Sequence, residues 1–110
     1  MGGYIWITTS FAGKHCWPSA PEHVFFLRSL HRHLFTVKVY IEVFHNEREV
    51  EFITFKSYIN KFTGFDENQE ASCETFSDLL YEYIVKEYPG RRIIIEVGED
   101  GENGSRKEYE

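Results

Sequence analysis

His31 and His33 stand two residues apart at the mouth of the strongest strand pattern in the chain. Alternate residues of a strand point to one face, so both imidazoles can reach the same cation. His15 follows shortly after the first strand-like segment, which antiparallel pairing would set beside the second. Three neutral imidazoles with an open fourth position form the donor set of a catalytic or ligand-binding zinc; a structural zinc is closed by four protein ligands. On spacing alone, two histidines flanking Arg32 are more often plain surface residues. The case therefore depends on the elements that carry them.

Tyr4 to Phe11 is β-branched and aromatic and reads as a strand, followed by a loop from Gly13 to Pro21 that holds Gly, two Pro, Ser and Ala. Leu34 to Phe44 alternates cleanly, with Phe35, Val37, Val39, Ile41 and Val43 on one face and Thr36, Lys38, Tyr40 and Glu42 on the other. After a polar turn at His45–Arg48 the apolar spacing changes. Phe52, Phe55, Tyr58, Ile59 and Phe62 recur at three and four residues, as in a helix that Gly64 ends. A second helix starts at Ser72 with Phe76, Leu79, Leu80, Tyr83, Ile84 and Tyr88 as its stripe, and Pro89-Gly90 stops it. Arg91 to Val97 is a strand. From about residue 100 the chain is polar and Gly-rich, either a long hairpin loop or a tail, with Lys107-Glu108-Tyr109 as a short last strand. The order predicts an α+β fold: an antiparallel four-stranded sheet with two helices between strands 2 and 3, packed on one face. The chain reads as a single domain over 1–110.

Composition narrows the function. The 110 residues are 42% hydrophobic and 17% aromatic, enough for one core and too little for two. Twelve Lys and Arg against eighteen Asp and Glu give a net charge of −6, a field that repels nucleic acid. No apolar run approaches a membrane span, and the first residues lack the pattern of a secretion signal, so the expectation is a cytoplasmic protein with Cys16 and Cys73 as reduced thiols.

Phe11-Ala12-Gly13-Lys14-His15, followed by His31-Arg32-His33 opening a long strand, resembles the tunnelling-fold (T-fold) family of 6-pyruvoyl- and 6-carboxy-tetrahydropterin synthases. That family shows F-x-x-x-H on its first strand and H-G-H about fifteen residues later. Glu51-Phe52-Ile53-Thr54-Phe55-Lys56 is similar to its D-F-x-x-L-K helix entry, and Ser72-Cys73-Glu74 to the T-x-E of its second-helix cap. Ile95-Glu96-Val97-Gly98-Glu99 is similar to its V-x-V-x-E strand. The matches run in order along nearly the whole chain. The resemblance implies a zinc on His15, His31 and His33. It also implies a carboxylate, Glu99 (or Glu96 if the alignment slips), with Glu74 nearby, that accepts paired N–H groups from a pterin- or purine-like ring. It implies trimers joined edge to edge, or hexamers, with ligand sites between subunits.

The departures fall on the chemistry. Leu27 occupies the place of the family's catalytic Cys, and leucine cannot exchange a proton. Phe65-Asp66-Glu67 is the best counterpart of the family's L-D-H, with Glu in place of His. Substitutes are Glu22, His23, Asp66 and Glu67, or a thiol. Cys73 stands at a helix start where the dipole could lower its pKa, although a small buried hydrophobe is the commoner role. The leading reading is a metal-bearing protein that binds a pterin-, purine-, deazapurine-like or nucleotide ligand and has lost the synthase reaction. The alternatives are an active, divergent zinc-dependent lyase, and a structural oligomer or nucleotide-sequestering protein.

Overall fold

The computed structural model describes residues 2–110, the side chains of Phe65 and Glu67 excepted. The chain forms β1 (Gly3–His15), a 3-10 segment (Glu22–Arg28), β2 (His31–Val43), α1 (Phe52–Asn60), α2 (Gly64–Glu67), α3 (Cys73–Glu87), β3 (Ile93–Glu99) and β4 (Asn103–Tyr109). The strands make one antiparallel sheet in the order β1-β2-β3-β4. The expected α+β class with a four-stranded antiparallel sheet is therefore present.

Register decides what shares a face. Every pairing in the sheet sets odd-numbered residues against odd ones: Ile7 opposes Val39, Val37 opposes Val97, and Ile93 opposes Tyr109. Successive side chains alternate across the pleat, so the odd residues of all four strands lie on one side. That side is the core. Phe35, Val37, Val39, Ile41, Ile93, Ile95 and Val97 cluster there with Phe55 and Ile59 of α1 and Phe76, Leu80 and Ile84 of α3. The even face is open, with Tyr4, Trp6 and Leu34 exposed.

The helices begin where side chains satisfy their free N–H groups. The Glu51 carboxylate accepts from the N–H groups of Ile53 and Thr54 at α1, and Ser72 Oγ accepts from Thr75 N–H at α3. The Tyr58 hydroxyl donates to the Tyr83 carbonyl (2.6 Å) and the Tyr83 hydroxyl to that of Tyr58 (2.7 Å), which ties α1 to α3.

Four boundaries differ from expectation. β1 runs to His15 instead of ending near Phe11, because its ladder with β2 continues through Gly13. A Cβ on Gly13 would come within 3.1 Å of the Phe35 ring, closer than ordinary contact, so the glycine lets the strand lie close over that ring without displacing it. Glu22–Arg28, between the expected loop and β2, is a 3-10 helix where no element was expected. The helices between β2 and β3 number three, the added one being the single turn of α2. The polar stretch after residue 100 is neither a long loop nor a tail: Asp100-Gly101-Glu102 connects β3 to a full fourth strand. Among the described residues, no helix is long and apolar enough to cross a membrane.

Candidate metal centre

His15 and His31 are direct cross-strand partners at one end of the sheet, and His33 follows on the same pleat face. The three ring centroids stand 4.5, 5.0 and 4.9 Å from one another, and one nitrogen from each ring lies within 4.8 Å of the other two. The Phe35 ring underlies the cluster, with centroids 5.3 Å from His15 and 5.7 Å from His33. The odd-face parity that builds the core thus also gathers the histidines where the core meets solvent.

The second nitrogen of each ring determines what the first can do. His31 Nδ1 is 2.9 Å from the Ser29 carbonyl, His15 Nδ1 is 3.3 Å from the Ala71 carbonyl, and His33 Nδ1 is 2.7 Å from Asp100 Oδ2. Carbonyl and carboxylate oxygens only accept, so His31 Nδ1 and His33 Nδ1 carry the proton and donate. His15 stands between two acceptors, the Ala71 carbonyl at Nδ1 and Glu99 Oε2 at Nε2. In neutral rings of His31 and His33 the Nδ1 proton leaves the Nε2 lone pair free, the tautomer that metal-ligating histidines adopt. His31 Nε2 is buried and has no hydrogen-bond partner among the described residues. A buried acceptor without a partner costs stability that a cation would restore. The three histidines therefore fit a zinc ion in donor type and convergence, and His31 and His33 in tautomer as well.

Glu99 completes the cluster. Its Oε2 lies 3.2 Å from His15 Nε2 and 3.1 Å from His33 Nε2. Burial holds the His15 ring below the ordinary histidine range, with the Ala71 carbonyl and Glu99 opposing that shift. Asp100 is held below the usual carboxylate range by the His33 ring and then by the Leu34 N–H.

A cleft of about 550 Å³ opens beside the rings, lined by His15, His31, Glu99, Glu74, Cys73 and Trp17 among others. Leu27 is on its wall as well, an apolar side chain facing the cleft. Cys73 is no activated thiol: burial first, then the nearby Glu99 and Glu74, push it up to about 11. The small-hydrophobe reading of Cys73 accords with its burial, and the dipole-lowered thiol does not.

The remaining sequence candidates are dispersed. Glu96 is an even residue on the open face of the sheet, paired with Arg106 at 2.7 Å, so of the two candidate anchors only Glu99 reaches the cleft. Glu22 and His23 are exposed on the 3-10 segment, where Glu22 meets Arg28 at 3.4 Å. Asp66 lines a different hollow, beside Thr9, Asn60 and Phe76. The side chain of Glu67 lies outside the described residues. Asp100 was missed by sequence reasoning. The signal that could have found it is Asp-Gly in a polar stretch, a hairpin turn that ends the strand paired with the histidine strand. Compared with models of known protein families and with curated proteins, the chain has no match in either.

Proposed function

We propose that this chain is a T-fold-like subunit that holds zinc on His15, His31 and His33. In the adjoining cleft it binds a pterin-, purine- or deazapurine-like ligand, or a nucleotide carrying such a base. The observation that carries this reading is the convergence of three imidazoles, each with its Nδ1 against an oxygen acceptor and with the buried Nε2 of His31 left without a partner among the described residues. Imidazole nitrogens suit zinc among the common divalent ions, and a bound zinc would act as a Lewis acid toward a ligand oxygen. Glu99 supplies the carboxylate that a 2-amino-pyrimidinone edge needs, and Glu74 lines the same cleft. Trp17 offers an aromatic face to a planar ring.

Binding is favoured over the synthase reaction because proton transfer needs a group poised near neutral pH within reach of the ligand. Leu27 cannot supply one, Cys73 is pushed far above neutrality, and Glu22, His23 and Asp66 do not line the cleft. β1 and β4 are the open edges of the sheet, which supports assembly of trimers or hexamers edge to edge. The test is extraction of the purified protein with acid, with mass spectrometry of what is released, beside incubation with dihydroneopterin triphosphate. A pterin- or purine-type mass and no triphosphate release is the expected result. Triphosphate release at a catalytic rate would replace this reading with that of a divergent lyase.

A further inference from the structure

We infer that Asp100 is the positioning residue of the metal centre: it holds His33 in the Nδ1–H tautomer and so sets the affinity for zinc. This rests on the zinc reading above and adds to it a residue outside the three ligands.

Asp100 sits 67 positions beyond His33 in the chain, and its Oδ2 takes the His33 Nδ1 proton at 2.7 Å. Its other oxygen, Oδ1, accepts the Leu34 N–H at 2.8 Å, while its own N–H donates to the Leu34 carbonyl at 2.7 Å. Three hydrogen bonds thus pin the β3–β4 turn to the strand that carries His33. The backbone there has φ 57°, a left-handed conformation that L residues adopt reluctantly and that Asp and Asn tolerate better than most. A glycine would take that φ more easily, but it has no carboxylate. Preceding it, Glu99 meets Nε2 of the same ring at 3.1 Å, so two carboxylates compete for the ring proton, and the shorter Asp100 contact at 2.7 Å favours Nδ1.

The demand on Asp100 is specific. Both of its partners are donors, Leu34 N–H and His33 Nδ1–H, and a carboxylate can accept from both at once. An asparagine can accept from only one of them. With its oxygen on Leu34, its NH2 faces His33 and makes Nδ1 the acceptor. The proton then moves to Nε2, where it blocks the lone pair that zinc needs. Outer-shell partners of zinc histidines are typically worth roughly 10–100-fold in metal affinity.

The experiment compares wild type with Asp100→Asn by zinc competition against a chromophoric chelator, beside thermal unfolding of the metal-free proteins. Imidazole 15N NMR spectra report the His33 tautomer without any metal. Asn keeps the left-handed backbone, so similar unfolding, a roughly 10–100-fold weaker zinc affinity and a His33 proton moved to Nε2 are expected. Equal zinc affinity in the two proteins, or a His33 that keeps its Nδ1 proton in D100N, overturns the role of Asp100 and leaves the three-histidine centre standing. A wild type that takes up no zinc overturns the centre and the role together. Should D100N fail to fold, Asp100→Glu takes its place: a carboxylate still reaches both donors, and recovery of at least part of the wild-type affinity is expected, total loss being the contrary result.

Discussion

His15 and His31 face each other directly across the β1–β2 ladder, and their ring centroids are 4.5 Å apart. The pairing puts two of the candidate ligands on the core side of the sheet, and the two-residue step to His33 adds the third. Arg32, between them, lies on the opposite face with the other even residues. Exchanging the two residues in a double variant, Arg32→His with His33→Arg, preserves composition and moves one imidazole through the sheet. Zinc affinity should fall by more than the roughly 10–100-fold typical of an outer-shell loss. The same variant binding zinc as wild type does would mean that the third ring is no ligand.

Phe35 is fully buried, stacks on Phe11 at 5.5 Å and underlies two of the histidines. Truncating it to alanine should cost about 3–5 kcal/mol in urea unfolding. Its neighbour Leu34 is 51% exposed on the other face, and Leu34→Ala should cost less than about 1 kcal/mol. Similar losses at the two positions would contradict the register.

Glu99 and Glu96 differ by three residues and lie on opposite faces of the sheet. With 6-substituted pterin as probe and Trp17 fluorescence as readout, Glu99→Gln should weaken binding roughly 10–100-fold, the worth of one charged hydrogen-bonding group. Glu96→Gln should leave it near wild type. Equal effects, or none at Glu99 in protein with full zinc content, would remove Glu99 as the ring anchor.

Asp78 joins α3 to β4 by accepting from Lys107 Nζ at 2.7 Å and from the Tyr109 hydroxyl at 2.6 Å. Lys107 first, then Tyr109, holds its carboxyl below the usual range. A carboxylate depressed in the folded state contributes stability above its unfolded pKa and loses it as pH falls through the folded value. The urea midpoint of Asp78→Asn should therefore trail wild type at pH 6–7 and converge with it toward pH 3. The gap stays below about 1 kcal/mol, because the pair is half exposed. A gap that is constant with pH would show that the carboxylate charge is not what matters.

Much of the frame was legible because one face of β2 must be apolar. Phe35, Val37, Val39 and Ile41 announce their strand by alternation, and Ser72 with its following stripe announces α3. His31 and His33 were legible for the same reason, since period two fixes their common face. The end of β1 was not. Gly13 and the Pro-containing stretch beyond it read as a break, whereas Gly13 is small because two phenylalanine rings press against it. β4 was legible only at its end, where Lys107-Glu108-Tyr109 reads as a short strand. The residues from Asn103 to Arg106 have little apolar alternation, and the strand is held by the ladder to β3 and by Tyr109 stacking on Tyr81 at 4.2 Å. Asp100 was missed because its partner His33 is brought near by the β2–β3 pairing, whose register places the end of β3 beside the start of β2.

The most direct measurement is the metal content of protein purified without added chelator, for wild type and for His15→Ala, His31→Ala and His33→Ala singly. A three-histidine centre predicts about one zinc per wild-type chain and a sharp loss in each variant, with unfolding of the metal-free forms little changed. Wild-type protein free of zinc and unable to take it up, or variants that hold it undiminished, would contradict the centre.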